Sequence, residues 1–236
     1  VLAGGGMSSM TDLLTVKCSP ADYQITLTTT ALLLIDMQRD FLERGGFGDA
    51  LGNDVHQLQQ AIEGCKRLLA SARSARLRII YTREGHAPDL SDLTRSKKQN
   101  SSDRIGVEGA MGKFLVRGEP GHEIIDALRP GKNEDVIDKP GKGAFYSTEL
   151  NSLLAEAGVE TLIVAGVTTE VCVHSTVREA GDRGFSCLVV SDACGSYFPN
   201  FHEVGLQMIS AQGGLMGRVT TVSAVDEALM GSSGID

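Results

Sequence analysis

Three residues far apart in the chain, Cys172, Asp36 and Lys139, supply a nucleophile, a proton acceptor and a cation, and each follows an expected strand. Cys172 lies in VAGVTTEVCVHSTVREAGDRG, just past TLIVAGV and inside the first turn of an expected helix. A thiol there meets unpaired backbone N–H groups and the positive end of the helix dipole, which favour thiolate over thiol. The same amides can cradle a developing oxyanion. Asp36 ends LLLI. A carboxylate there is costly to bury alone, so it either caps a loop or pairs with Arg39, or acts as a base that takes the thiol proton and later activates water. Lys139 ends DVID and precedes Pro140, which cannot continue a strand ladder. It is either an exposed loop lysine or a cation that holds neighbouring anions ionised.

The remaining reactive side chains point elsewhere. Cys65 falls on the apolar face of a helix pattern, and Cys187 and Cys194 fall in and just after a strand, where a thiol serves as a small buried apolar residue. Of the five histidines, His174 is two positions from Cys172 and faces elsewhere on a helix. His56 and His202 sit on helix patterns, and His86 and His122 in loop-rich sequence, from which folding could bring His86 near. There is no HxxH or HExxH for a metal, no GxxxxGK[ST] loop and no GxGxxG after a strand.

Six stretches read as strands: 31–37 (ALLLIDM), 77–82, 135–139, 161–167, 186–193 and 218–223. Several are apolar on successive residues, as strands covered on both faces require. Between them, 54–75 carries apolar residues at three- and four-residue steps. A second helix is expected after a cap at Ser147 or Thr148, stopping at Gly158, and a third over 200–212. This alternation predicts an α/β three-layer sandwich, a mostly parallel sheet with helices on both faces. Such sheets bind ligands beyond the carboxyl ends of their strands, where Asp36, Lys139 and the Cys172 turn all fall. The segment 84–121, rich in Gly, Ser and charge, reads as a long loop, either a lid or a surface excursion.

The 236 residues suit one such domain over 25–236, after an extended or disordered segment at 1–24. Net charge is −8 and the pI about 5.2, which argues against nucleic-acid and anionic-membrane partners. The short basic run Arg95, Lys97, Lys98 reads as a solvated loop rather than a phosphate patch. Five cysteines without a CxxC pair suggest a reducing, cytoplasmic compartment. No apolar stretch approaches the roughly 18 residues of a membrane span, and the start lacks the features of a secretory signal.

LLLIDMQRDF at 32–41, VIDKPGKGAF at 136–145 and AGVTTEVCVHSTVREAGDRGF at 165–185, in that order, resemble the three motifs of the isochorismatase-like cysteine hydrolases. The resemblance spans about 29–229. It implies a six-stranded parallel sheet, with Asp36, Lys139 and Cys172 as the catalytic acid, lysine and nucleophile. It also implies a cis peptide at Val167–Thr168, with the amides of Thr168 and Cys172 as oxyanion hole. Within the family the likeness is greatest to the hydrolases of biuret, through YTREGHAPDL, RGEPG, DKPGKG, TTEVCV and AQGGLMG. That likeness implies Phe41, Lys142 and Gln212 as substrate-binding residues, although Gln212 also reads as a C-terminal helix glutamine and Phe41 as a core residue. The Asp/His metal cluster of the family's nicotinamidases is absent from TREGHAPD, so no metal and no cofactor are expected. The implied reaction converts biuret to allophanate and ammonia through an acyl-thioester. Triuret, N-carbamoyl amino acids and ureidoacrylate are the alternative substrates, and a non-catalytic or redox-sensing thiol protein is the alternative class. The family also implies a homo-oligomer, often a tetramer.

Overall fold

A computed structural model describes residues 13–99 and 104–231. One sheet contains β1 (Thr30–Ile35), β2 (Arg78–Glu84), β3 (Asp135–Lys139), β4 (Thr161–Val167), β5 (Ser186–Gly195) and β6 (Arg218–Thr220). Their order is β6-β5-β4-β1-β2-β3, and every neighbouring pair is parallel. The helices that matter for the site and the core are α1 (Ala61–Ser74), α2 (Arg95–Gln99), α3 (Leu150–Glu156), α4 (His174–Asp182), α5 (Pro199–Gly214) and α6 (Val222–Met230).

The strand period distributes β1 between two cores. Leu32 and Leu34 join Leu68, Leu69, Val225 and Leu229 of α1 and α6 on one face. Ala31, Leu33 and Ile35 join Leu150, Leu154, Val177 and Ala180 of α3 and α4 on the other. Both faces are therefore covered, and all six residues of β1 are buried, which is why ALLLI shows no alternation. Among the described residues no helix is long and apolar enough to cross a membrane.

Several expected boundaries move. The helix pattern at 54–75 divides into Val55–Gln59 and α1, joined through Gln60, whose backbone stays helical. The strand expected over 218–223 ends at Thr220, because the Thr221 hydroxyl accepts from the Ala224 N–H and starts α6. Thr148, one of the two caps expected before α3, stands one residue outside the N-cap position, which Glu149 holds without a side-chain bond; its hydroxyl accepts from the Leu150 N–H (3.4 Å) and donates to the Ala144 carbonyl (2.6 Å). The stretch 84–121 is built rather than looped through its described part. It contains α2 and a small hairpin at 108–113, and it buries Ile105, Phe114 and Leu115 in the α1-side core.

Of the segment expected to be extended or disordered, the described part, from Leu13, is partly extended and packs against the domain that follows. Leu13–Val16 pairs antiparallel with Tyr23–Thr26, and Val16 and Ile25 belong to the α1-side core. Ser19 exchanges two backbone hydrogen bonds with Val219 at the sheet edge, at 2.8 and 3.0 Å. The rest of the expected N-terminal segment, 1–12, lies outside the described residues.

Candidate active site

The chain runs from β1 through β2 to β3 on one side, then places β4, β5 and β6 on the other. The direction reverses between β1 and β4, and a crevice opens there at the strand carboxyl ends. Four adjacent strands deliver one residue or turn each. β1 leads to Asp36, β2 ends in Glu84, β3 ends in Lys139, and β4 leads into Thr168 and Cys172.

Local backbone aims these groups. Asp36 adopts a left-handed conformation (φ 51°), which an Asp tolerates better than most side chains. Its N–H still donates to the Thr82 carbonyl of β2 (3.1 Å), so the turn stays tied to the sheet. The last residues of β4 approach β1 closely. Gly166 has φ 116°, and a Cβ there would lie 2.1 Å from the Ile35 carbonyl oxygen. The next peptide, Val167–Thr168, is cis. The chain then makes a wide π-helical turn over Thr169–Val173 before α4, with Val173 N–H donating to the Thr168 carbonyl (3.2 Å). Such turns recur at functional sites, and Cys172 sits in this one.

Lys139 Nζ lies 2.7 Å from Asp36 Oδ2 and 3.8 Å from Glu84 Oε2, and donates to the Gly141 carbonyl (2.9 Å). Thr82 Oγ1 donates to Asp36 Oδ1 (2.7 Å). The Cys172 thiol donates to Glu84 Oε2 at 3.6 Å. Reactive atoms of Asp36, Glu84 and Cys172 lie within 4.8 Å of one another, all buried. Three such donors could hold a metal ion, but the Lys139 ammonium already sits against both carboxylates and answers their charge.

Burial raises the Cys172 thiol well above its ordinary pKa; Lys139 and Lys142 pull it down, while Asp36 and Glu84 push it further up. The thiolate expected from a helix start is thus reversed, because this helix start is also a wall of the core and stands among carboxylates. Burial likewise raises the Asp36 carboxyl, and the Glu84 charge adds to it, against the pull of Lys139 and Thr82. Glu84 behaves oppositely. Burial would raise it, but the ammonium groups of Lys139, Lys142 and Lys97 prevail and lower it to about 2. Burial opposes the charge on Lys139, yet its neighbours Asp36, Cys172 and Glu84 outweigh this and raise its pKa.

A cavity of about 550 Å³ opens over the thiol. Phe41, Lys142, Thr168 and Cys172 line it, as do Glu84, Lys97, Phe47 and Tyr197. Phe41 is held on its short helix by edge contact with Phe47 and by the Tyr197 hydroxyl, which donates to the Phe41 carbonyl (2.8 Å). Gln212 does not line this cavity. It sits at a kink over Ala211–Gly213 where α5 leaves helical geometry, with φ 54° and an exposed side chain.

Two site residues escaped sequence reasoning. Glu84 ends RIIYTRE, and an acid closing a buried run is the same signal that singled out Asp36. Lys97 was expected in solvent with Arg95 and Lys98. Instead its ammonium turns inward to Glu84 Oε1 (3.3 Å), the Pro140 carbonyl (2.5 Å) and His86 Nε2 (3.2 Å), while Arg95 and Lys98 stay exposed. His86 itself is fully buried behind Lys97, bonded to Asp92 (3.0 Å), and does not reach the cavity lining.

A family model described as the isochorismatase domain matches residues 30–223. The chain is 30% identical over 222 residues to the ureidoacrylate amidohydrolase RutB of Methylorubrum extorquens, covering 91% of this chain and 88% of that protein. Among solved structures it resembles a cysteine hydrolase from Pseudomonas syringae pv. phaseolicola (26% identity, TM-score 0.76, 96% of this chain and 100% of that one). It also resembles an isochorismatase family protein from Desulfovibrio vulgaris (29% identity, TM-score 0.71, 86% of this chain and 98% of that one).

Proposed function

The chain belongs to the isochorismatase family, and from that premise we propose that it is a cysteine-dependent amidohydrolase that cleaves a terminal C–N bond of a small ureide, biuret foremost. The observation that carries this reading is the buried Asp36–Lys139 pair beside the Cys172 thiol at the floor of a cavity.

Asp36 takes the Cys172 proton as sulfur attacks the carbonyl carbon. Of the two nearby carboxylates Asp36 is the better base, because its pKa is raised whereas that of Glu84 is about 2. The thiol loses its proton during attack rather than before it, consistent with its own raised pKa. The amides of Thr168 and Cys172 hold the oxyanion. The C–N bond breaks as Asp36 returns the proton to the leaving nitrogen, and ammonia departs from a thioester. Water, deprotonated by Asp36, then releases the acid and restores the thiol; with biuret the acid is allophanate. Lys139 stays charged throughout and offsets the negative charge that passes between sulfur and carboxylate.

Lys142 can donate to a ureide carbonyl, and Phe41 and Phe47 wall a planar substrate. A second reading, ureidoacrylate, draws support from the similarity to the proteins named for that activity and from a second lysine, Lys97, at the cavity. Ammonia release measured side by side on biuret, triuret, N-carbamoyl amino acids, ureidoacrylate and nicotinamide separates these substrates. Cys172→Ser is expected to bind substrate and lose turnover by several orders of magnitude. Wild-type rates from that variant would end the mechanism.

A further inference from the structure

We propose that Glu84 is the specificity-determining residue of this cavity, a built-in carboxylate that occupies the lysines a substrate carboxylate would need and so favours the neutral ureide. The inference rests on the reading of the site as a ureide pocket.

Glu84 is fully buried, and both of its oxygens are engaged. Oε1 accepts from Lys142 Nζ at 2.7 Å and from Lys97 Nζ at 3.3 Å. Oε2 accepts from the Cys172 thiol and lies 3.8 Å from Lys139 Nζ. Its backbone is clamped as well. Gln38 Oε1 accepts from the Glu84 N–H (2.7 Å), and Gln38 Nε2 donates to the Glu84 carbonyl (3.0 Å). Gln38 is itself buried two residues past Asp36, so the turn after β1 fixes the acid that ends β2.

The charge count gives this placement its consequence. Lys97, Lys139 and Lys142 contribute three positive charges, and Asp36, Glu84 and the cavity-lining Glu170 three negative ones. Transfer of the Cys172 proton to Asp36 moves a negative charge from carboxylate to sulfur and leaves this balance unchanged. A substrate carboxylate would be a further anion with no free cation to meet it among the described residues of the cavity, since Lys142 and Lys97 already point at Glu84 and Lys139 at Asp36. A biuret-like molecule brings no charge and leaves the balance intact. Next to a carboxylate as buried as Glu84, like charges and unpaired anions discriminate strongly between ligands.

The test compares ligand affinities in a background without turnover, Cys172→Ser, by calorimetry with biuret and with N-carbamoylglycine as the carboxylate probe. Glu84→Gln added to this background is expected to raise affinity for N-carbamoylglycine relative to biuret by roughly tenfold or more. Lys97→Met is expected to move the ratio the opposite way, so the proposal stays testable if Glu84→Gln fails to fold. A ratio unmoved by either substitution, or moved toward biuret by Glu84→Gln, overturns the proposal. So does failure of the Cys172→Ser protein to bind either probe. Ammonia release by the wild-type protein is followed in parallel. If that assay fails on every ureide, the parent reading is lost, whereas a shifted binding ratio would still assign Glu84 its selectivity.

Discussion

At the scale of single residues, the chemistry turns on where one proton rests. In the free protein it stays on Cys172, because burial and two carboxylates raise the thiol pKa well above its ordinary value. Iodoacetamide labelling resolved by site is therefore expected to be slower at Cys172 than at free cysteine near pH 7, and to accelerate as pH rises past 9. Faster labelling than free cysteine at pH 7 would contradict a protonated resting thiol. The proton's destination is tested separately. Asp36→Asn is expected to lower kcat/KM by roughly 10²–10⁴-fold, the usual contribution of a positioned base. A drop below about tenfold in a folded variant would move the base to Glu84. Asp36 and Cys172 were legible in the sequence because each follows a run too apolar for surface chain, and Lys139 because it closes an expected strand just before Pro140. Glu84 carried the same mark, but the strand was expected to stop at residue 82, which left Glu84 in the segment read as a loop. Lys97 carried none, since only the path of the chain over the cavity turns it inward. The thiolate was misjudged because a helix start raises or lowers a thiol pKa according to what surrounds it, and the surroundings come from β1, β2 and β3.

At the scale of elements, the four inner strands were legible because a sheet covered on both faces leaves continuous apolar runs, while the edge strands β3 and β6 offered only short apolar stretches. The C-terminal helix α6 was not, because VSAVDEAL follows directly on RVTT and its cap, Thr221, reads equally well as a strand residue. The contact that tunes the site, between β4 and β1 at Gly166, was also hidden. It depends on register, Ile35 opposite Gly166, and on a bulge between Val164 and Gly166 where β4 pairs with β5. Gly166→Ala would drive a Cβ against the Ile35 carbonyl in a backbone conformation that suits only glycine. The expected cost is about 2–4 kcal/mol in urea unfolding. Because Thr168 and Cys172 follow directly, the surviving folded enzyme should lose roughly 10²-fold in kcat/KM, as reacting groups shifted by about 1 Å do. Unchanged stability together with unchanged activity would mean that the two strands separate without cost.

At the scale of the whole molecule, the two cores hold an unusual store of buried protons. Cys65 and Cys172 have thiol pKa values raised well above ordinary by burial, and Cys187 and Cys194 are pushed up to about 12. Burial also raises the Tyr81 and Tyr197 phenols. In the unfolded chain these thiols titrate near 8.5 and the phenols near about 10. Between those values and pH 12 the native state binds more protons than the unfolded one, so stability falls as pH rises. Below about pH 8.5 the contribution is fully present; it is lost progressively up to pH 12. Each fully buried thiol accounts for about 1–2 kcal/mol by pH 10. Four of them approach the 5–15 kcal/mol or so that a domain possesses in total. The melting temperature is therefore expected to hold steady from pH 7 to 8.5 and to fall steeply from pH 9 to 10.5. Cys187→Ala, which removes one of these protons far from the cavity, should lower the melting temperature at pH 7 by leaving a small void and flatten its decline above pH 9. A wild-type melting temperature that stays level to pH 10.5, or a Cys187→Ala curve parallel to it, would show that the buried thiols do not govern the alkaline limit.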